Sequence, residues 1–309
     1  TDTTSADVTT IPKGSWAVWY RNYMIVGGVT AYPNRIYISD LGDPETYGAS
    51  SYIDIEPGDG DALTGGIIAG PDKVFFTKSR TIHYMTGAGS DTFAVYPLTR
   101  DFGIASHRSL VNVGEDIWGV KPDGRIMSLL KTQYGLYSGR DMSSDFLEEI
   151  TNDVNQTVLN KSISAFINGY VVVGLATGAS TTNNTVLVYD TLAPITSTYS
   201  KWTRITGWDV NDFDVNDVNG MDELFMGNSA NDKVSRWFGN QDFTTNISAS
   251  WIGPEWEFDS LGTPKRFRQI KAIAYSLGNY DFDFYASVDN GTYTNIGSLN
   301  LTSSGGTWG

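Results

Sequence analysis

The chain has no cysteine. Disulfide staples, thiolate metal sites and a cysteine nucleophile are therefore excluded. Histidine is nearly as scarce, with only His83 and His107. A histidine-based triad also needs a nucleophile in a recognisable setting, and no G-x-S-x-G elbow is present. His83 reads as a surface or satisfied strand histidine, and His107 as an ordinary residue at the start of a repeat. No H-E-x-x-H, Walker or G-x-G-x-x-G sequence occurs. No run approaches the roughly 18 consecutive apolar residues of a membrane helix. Residues Thr1–Thr10 are polar without a basic segment, so no signal peptide is visible. There is no initiator methionine, and the chain stops just after Trp308. Both ends read as cuts through a longer polypeptide.

What is present describes a β protein. The 309 residues are 40% apolar and 18% charged, a globular rather than a disordered profile. Aromatic residues make up 13%, and the 33 glycines fall among Asn-, Asp- and Thr-rich clusters between apolar runs. That mixture suits short strands joined by tight turns. The net charge of −14 disfavours tight wrapping of nucleic acid, which needs Lys and Arg against phosphate. Solubility explains such a charge most simply. An acidic lining along which DNA slides without sticking is the sharper alternative.

A degenerate repeat runs through the first four-fifths of the chain. Paired apolar runs are Tyr23–Gly27 with Arg35–Ile38, Lys73–Phe76 with Thr81–Met85, and Asp116–Gly119 with Arg125–Met127. Tyr170–Gly174 with Val186–Tyr189 and Glu223–Gly227 with Lys233–Trp237 complete the set. The first runs recur at roughly 43–55 residues, near the blade length of a β-propeller. Asp123-Gly124 and Asn168-Gly169 are hairpin signals. Tyr52–Ile55, Phe93–Tyr96 and Trp202–Ile205 fit a third, outer strand. The expected fold is all-β: a β-propeller of about five or more blades over 1–245, then a small antiparallel β-sandwich module over 246–309. A plain β-sandwich meander is the competing arrangement. One helix is expected near 144–159. Ser144 or Asp145 caps it, and Phe146, Leu147, Ile150 and Val154 form its apolar face. In the last module, Pro254–Phe258, Lys265–Tyr275 and Tyr280–Val288 alternate, the last pairing through Asn290-Gly291.

Three stretches invite a chemical reading and resist it. Gly58–Gly65 is glycine-rich but joins strand to strand, so phosphate cradling lacks its helix N-terminus. Asp209–Gly220 carries the oxygen donors that calcium prefers. However, with Gly220 at the sixth place of an EF-hand loop the first ligand is Val215, and no Glu stands at the twelfth. It reads as an acidic loop between blades. Ser287–Tyr293 is similar to the Asp-box turn of sialidases, without the closing aromatic at Thr294, and such a turn is itself structural. No catalytic, cofactor-binding or metal residue is assigned, and the chain reads as a non-enzyme.

Several phrases carry a family resemblance. They are Asn34–Tyr47, Phe76–Gly87, Phe102–Ser106, the Asp123-Gly124 hairpin, the short helix near Ser144, Val186–Asp190 with Trp202 behind it, and Lys265–Arg268. In this order they resemble the β-propeller proteins of tailed-bacteriophage virions, over roughly Gly14–Trp308. Such proteins form rings at the tail, as nozzle, hub or stabilisation components through which the genome passes. The resemblance implies a multi-copy structural role in the virion tail, with other virion proteins and further copies as partners. It implies DNA passing without specific binding, no membrane, no cofactor and no catalytic residues to carry over. The loops Asp43–Ser50, Thr177–Thr185 and Asp209–Gly220 are the expected contact surfaces. The alternative is a glycan-binding propeller module of a tail tip or secreted protein, for which Trp16, Trp19, Trp118, Trp208 and Trp237 are the candidate stacking residues. A hydrolase on a propeller scaffold is a third possibility.

Overall fold

A computed structural model describes residues 11–70, 72–131, 137–143, 152–193, 201–229, 233–237, 241–242, 245–246, 280–288 and 291–301. The chain divides into two compact units, Thr1–Ile247 and Ser248–Gly309. The fold is all-β and its sheets are antiparallel.

The first unit is a series of meanders. The first comprises β1 (Trp16–Tyr20), β2 (Tyr23–Gly27), β3 (Arg35–Ile38) and β4 (Tyr52–Asp54). The second comprises β5 (Leu63–Ala69), β6 (Lys73–Lys78), β7 (Ile82–Thr86) and β8 (Ala94–Thr99). The third comprises β9 (Val111–Val113), β10 (Asp116–Val120), β11 (Ile126–Lys131) and β12 (Tyr137–Asp141). The fourth begins with β13 (Ile163–Ile167), β14 (Tyr170–Leu175) and β15 (Asn183–Asp190), and its last strand is the first part of β16 (Trp202–Val218).

The strand β16 serves two meanders. Residues 202–206 pair with β15, and residues 212–218 pair with β17 (Met221–Asn228). Gly207 between them has φ +88°, which only glycine adopts without strain. A register shift at Val210/Asp212 then turns the strand over. With β18 (Val234–Arg236), the second part of β16 and β17 make a fifth meander. The hairpin tip is Asn219-Gly220, both at positive φ, the requirement of a two-residue turn. Asp209–Gly220 is therefore strand and hairpin, not the acidic loop expected. The Asn-Gly pair outweighs the polar run before it, and the Asp and Asn side chains project to solvent.

Alternation along single strands explains how the meanders pack. On β6, Phe76 enters a cluster with Trp16, Ile25 and Ile36 of the first meander, whereas Phe75 enters one with Ile117 and Leu129 of the third. On β10, Trp118 joins Val171 and Leu187 of the fourth meander, opposite Ile117. On β14, Val172 turns the other way, to Val210, Leu224 and Met226. Each inner meander is thus buried on both faces. Successive meanders are held by one apolar cluster per junction.

The sequence pattern captured three strands in the first, second and fourth meanders and two in the third, whereas each has four. The strands it missed come first in each, β1, β5, β9 and β13, together with β12. In β5 the reason is Gly65-Gly66, which reads as a turn. A Cβ on Gly66 would lie 2.7 Å from the Trp16 ring, and one on Gly65 2.7 Å from His107 Cα. Here glycine marks close approach of a neighbouring chain segment, not a turn.

The helix expected near 144–159 falls partly outside the described residues. Asn152 and Asp153 are helical, Val154 bridges to Thr177, and Gln156–Lys161 is a 3-10 turn in which the Asn155 side chain accepts from the Thr157 N–H. Beyond it, β19 (Gln241–Asp242) pairs with β20 (Thr245–Asn246). In the second unit, β21 (Tyr280–Ala286) and β22 (Thr294–Leu301) form a hairpin with a register shift at Phe284/Tyr285. The expected strands Pro254–Phe258 and Lys265–Tyr275 lie outside the described residues.

Candidate functional site

The densest set of ionisable groups lies at the seam of the first two meanders. The segment from Ile55 to Ala62 joins β4 to β5. Glu56 (φ +43°), Gly58 (φ +89°) and Gly60 (φ +72°) all take left-handed conformations there. This coils the segment so that Glu56, Asp59 and Asp61 approach the hairpin of β6 and β7. Lys78, the last residue of β6, is fully buried, and its Nζ lies 2.7 Å from an Asp59 carboxylate oxygen. The same Nζ donates to the Glu56 carbonyl at 3.4 Å. Asn34 donates to the Glu56 carbonyl and to Asp59.

Asp61 closes the turn between β6 and β7. Its carboxylate accepts from the Ser79 hydroxyl at 2.6 Å, the Ser79 N–H at 3.2 Å and the Arg80 N–H at 2.9 Å. The acidic segment therefore satisfies the backbone of the neighbouring meander's turn. Arg100 pairs with Glu56 from the far end of β8. The Arg100 hydrogen bond draws the Glu56 carboxyl below its ordinary range, against the opposing effect of burial. Burial works against ionising Asp59, but Lys78, the Asp61 N–H and Asn34 outweigh it and lower its pKa.

His83 sits in this cluster and differs from the surface or satisfied histidine expected. Its residue is 1% exposed, and neither ring nitrogen has a hydrogen-bond partner among the described residues. Alternation places it with Met85 on the side of β7 turned toward the seam. Burial lowers its pKa, the Glu56 carboxylate 3.5 Å away opposes that, and Lys78 and Arg100 reinforce it. His107 lies in a 3-10 turn, His107–Ser109, before β9. Its ring stacks on Trp16 at 5.9 Å, and Nδ1 accepts from the Gly66 N–H at 3.4 Å. Burial lowers its pKa too. Both histidines thus border the first junction, His83 beside Glu56 and His107 against Trp16.

The other candidates separate by position. Trp16 and Trp118 are buried in the clusters between meanders. Trp208 and Trp237 are half-buried and meet edge to face at 5.3 Å. Trp19 is exposed at 42%, on the outer face of the first meander. Nearby, Arg35 forms a two-point ion pair with Asp54 and lies 3.5 Å over the Tyr52 ring and 4.5 Å over Tyr32. Asp43–Ser50 is a loop between β3 and β4, whereas Thr177–Thr185 runs into β15 at Asn183. Gly58–Gly65 runs into β5 at Leu63, so its last three residues are strand, not linker. Near Ser287–Tyr293 the Ser287 hydroxyl donates to the Gly291 carbonyl between β21 and β22. Among the described residues, no three or more of His, Asp and Glu gather as a metal ion requires, and no helix is long and apolar enough to cross a membrane.

The chain matches no family model and no curated protein. Among solved structures it is similar to a protein from Lactobacillus plantarum, at a TM-score of 0.41 and 12% identity over 70% of this chain and 67% of that one. A likeness at that level bears on neither site nor function.

Proposed function

We propose that the chain is a structural component of a bacteriophage virion, a multi-copy ring protein of the tail around the DNA path. The observation that carries this reading is the series of meanders, each inner one buried on both faces. Consecutive propeller blades pack in this way, which supports the reading. The phrases resembling tailed-phage propellers fall on it in order: Asn34–Tyr47 on β3 and its loop, Phe76–Gly87 on β6 and β7, Val186–Asp190 on β15. On this reading the ionic seam is a fastening. Lys78, Asp59 and Asp61 spend their charges on each other and on a turn, which holds two blades in register. Tail or portal-adjacent subunits are the partners, and the net charge of −14 keeps the genome mobile past the ring.

Immunogold electron microscopy of purified particles with antibody to this chain tests the reading. Label clustered at the tail supports it. Intact particles that never label reject it.

A second reading, glycan binding, rests on Trp19, whose exposed ring stands on a face with Tyr32 and Tyr52. Specific, saturable binding on a glycan array that Trp19→Ala abolishes supports it over the first.

A further inference from the structure

The packing rule within the first unit leaves two faces over. Every junction joins a trailing face of one meander to a leading face of the next. On β2, Tyr23 and Ile25 enter the first junction, so Met24 and Val26 face away from it. Their cross-strand neighbours, Trp19 and Tyr37, share that leading face, and Tyr52 extends it across β4. On β17, Leu224 and Met226 enter the last junction, so Phe225 and Gly227 face away. That trailing face holds a cleft of about 460 Å³, lined by Phe213, Val218, Phe225, Gly227 and Val234 and by the polar Asp212, Asp214 and Asn216.

Both faces carry exposed side chains, although Val26 on the leading face is buried and Asp212 beside the trailing cleft pairs with Arg108 of the same chain. Trp19 is 42% exposed, Tyr52 38%, Met221 66% and Val234 71%. We infer that they are the two halves of one more blade-on-blade junction, made between two copies of this chain. Continuity with the internal junctions argues for a second copy as the occupant. Each leading face in the series is already matched to a trailing face, and the pair left over carries aromatic and aliphatic side chains on both sides, with Asp212, Asp214 and Asn216 at the trailing groove. The shapes agree with this. The trailing face is a groove with glycine in its floor, where a Cβ on Gly227 would meet only the Asp212 backbone nitrogen, at 3.9 Å. The leading face carries projecting aromatics. A leading-to-trailing contact is heterologous, the type that builds a ring when its rotation closes. The inference deepens the multi-copy part of the proposed function and rests on it.

The absence of native cysteine makes a direct test possible. Two full-length variants, Tyr52→Cys and Val234→Cys, are purified reduced, mixed and oxidised. Disulfide-linked dimers in the mixture, and none in either variant alone, support the inference. Dimers from a single variant indicate a symmetric contact and overturn it. A crosslinked monomer from the double variant indicates closure within one chain and overturns it. No crosslink in any sample overturns it as well. Light scattering of the uncysteinated chain with Trp19→Glu is the second measurement. Multimers in the parent that dissociate in the variant, with an unchanged circular dichroism spectrum, are expected. Multimers that persist reject this face and leave the multi-copy reading intact. Failure of the virion assignment itself is read separately, from the labelling of particles.

Discussion

The Nε2 of His83 lies 3.5 Å from a Glu56 carboxylate oxygen, and neither nitrogen of that buried ring has a hydrogen-bond partner among the described residues. Burial favours the neutral imidazole beside that charge. Desolvation outweighs the carboxylate, and Lys78 and Arg100 add repulsion.

Acid should therefore loosen the seam in two stages. A histidine with a lowered native pKa binds fewer protons folded than unfolded. Its contribution to stability is complete above the unfolded value of about 6.5 and is lost as pH falls below it. His107 acts in the same sense. Glu56 and Asp59, also lowered, lose theirs as pH falls below the ordinary carboxylate values. The melting temperature is expected to decline from about pH 6.5 downward. His83→Phe should flatten the upper part of that decline. A profile identical to the parent's would show that His83 has no part in it.

The Lys78–Asp59 pair is lopsided, since Lys78 is fully buried and Asp59 partly exposed. Removing Asp59 strands a buried ammonium. Asp59→Ala should cost about 3–5 kcal/mol in denaturant unfolding. Lys78→Met leaves a carboxylate that water and two N–H donors still serve. Its cost should be about 1–2 kcal/mol. Equal losses would contradict the burial argument.

Gly66 is fixed by its neighbour, not by its own backbone. Gly66→Ala drives a methyl toward the Trp16 ring, 2.7 Å away, and should cost about 1–3 kcal/mol. In a Trp16→Leu background the same substitution should cost much less. A double-mutant cycle reads the coupling, expected above about 0.5 kcal/mol. An additive cycle would refute the contact.

Arg108 reaches from the 3-10 turn to the fifth meander, pairing with Asp212 at 2.8 Å and donating to the Asn211 carbonyl. Both side chains are largely exposed. Arg108→Ala should cost no more than about 1 kcal/mol, and less at high salt. A larger, salt-insensitive loss in urea titrations would mark the contact as structural.

Much of this architecture is legible in local pattern. Turn residues fix φ, so Asn168-Gly169 is a hairpin wherever it stands. Alternation fixes which side chains share a face, so β2, β6, β10, β14 and β17 are readable as runs. The all-β class follows from those two signals. Other features depended on residues distant in sequence. Gly65-Gly66 mimics a turn until Trp16 and His107 occupy the space a Cβ would take. Asp209–Gly220 reads as loop because its apolar partners, on β13 and β15, lie tens of residues away. The setting of His83 arises from burial and from Glu56, Lys78 and Arg100, drawn in from three other segments. The sequence by itself determined the strands, the turns and the all-β class, because those are decided within a few residues by backbone sterics and side-chain period. Only the tertiary structure decided which faces meet, which ions pair and which faces stay open, because desolvation and close packing depend on what the fold brings alongside.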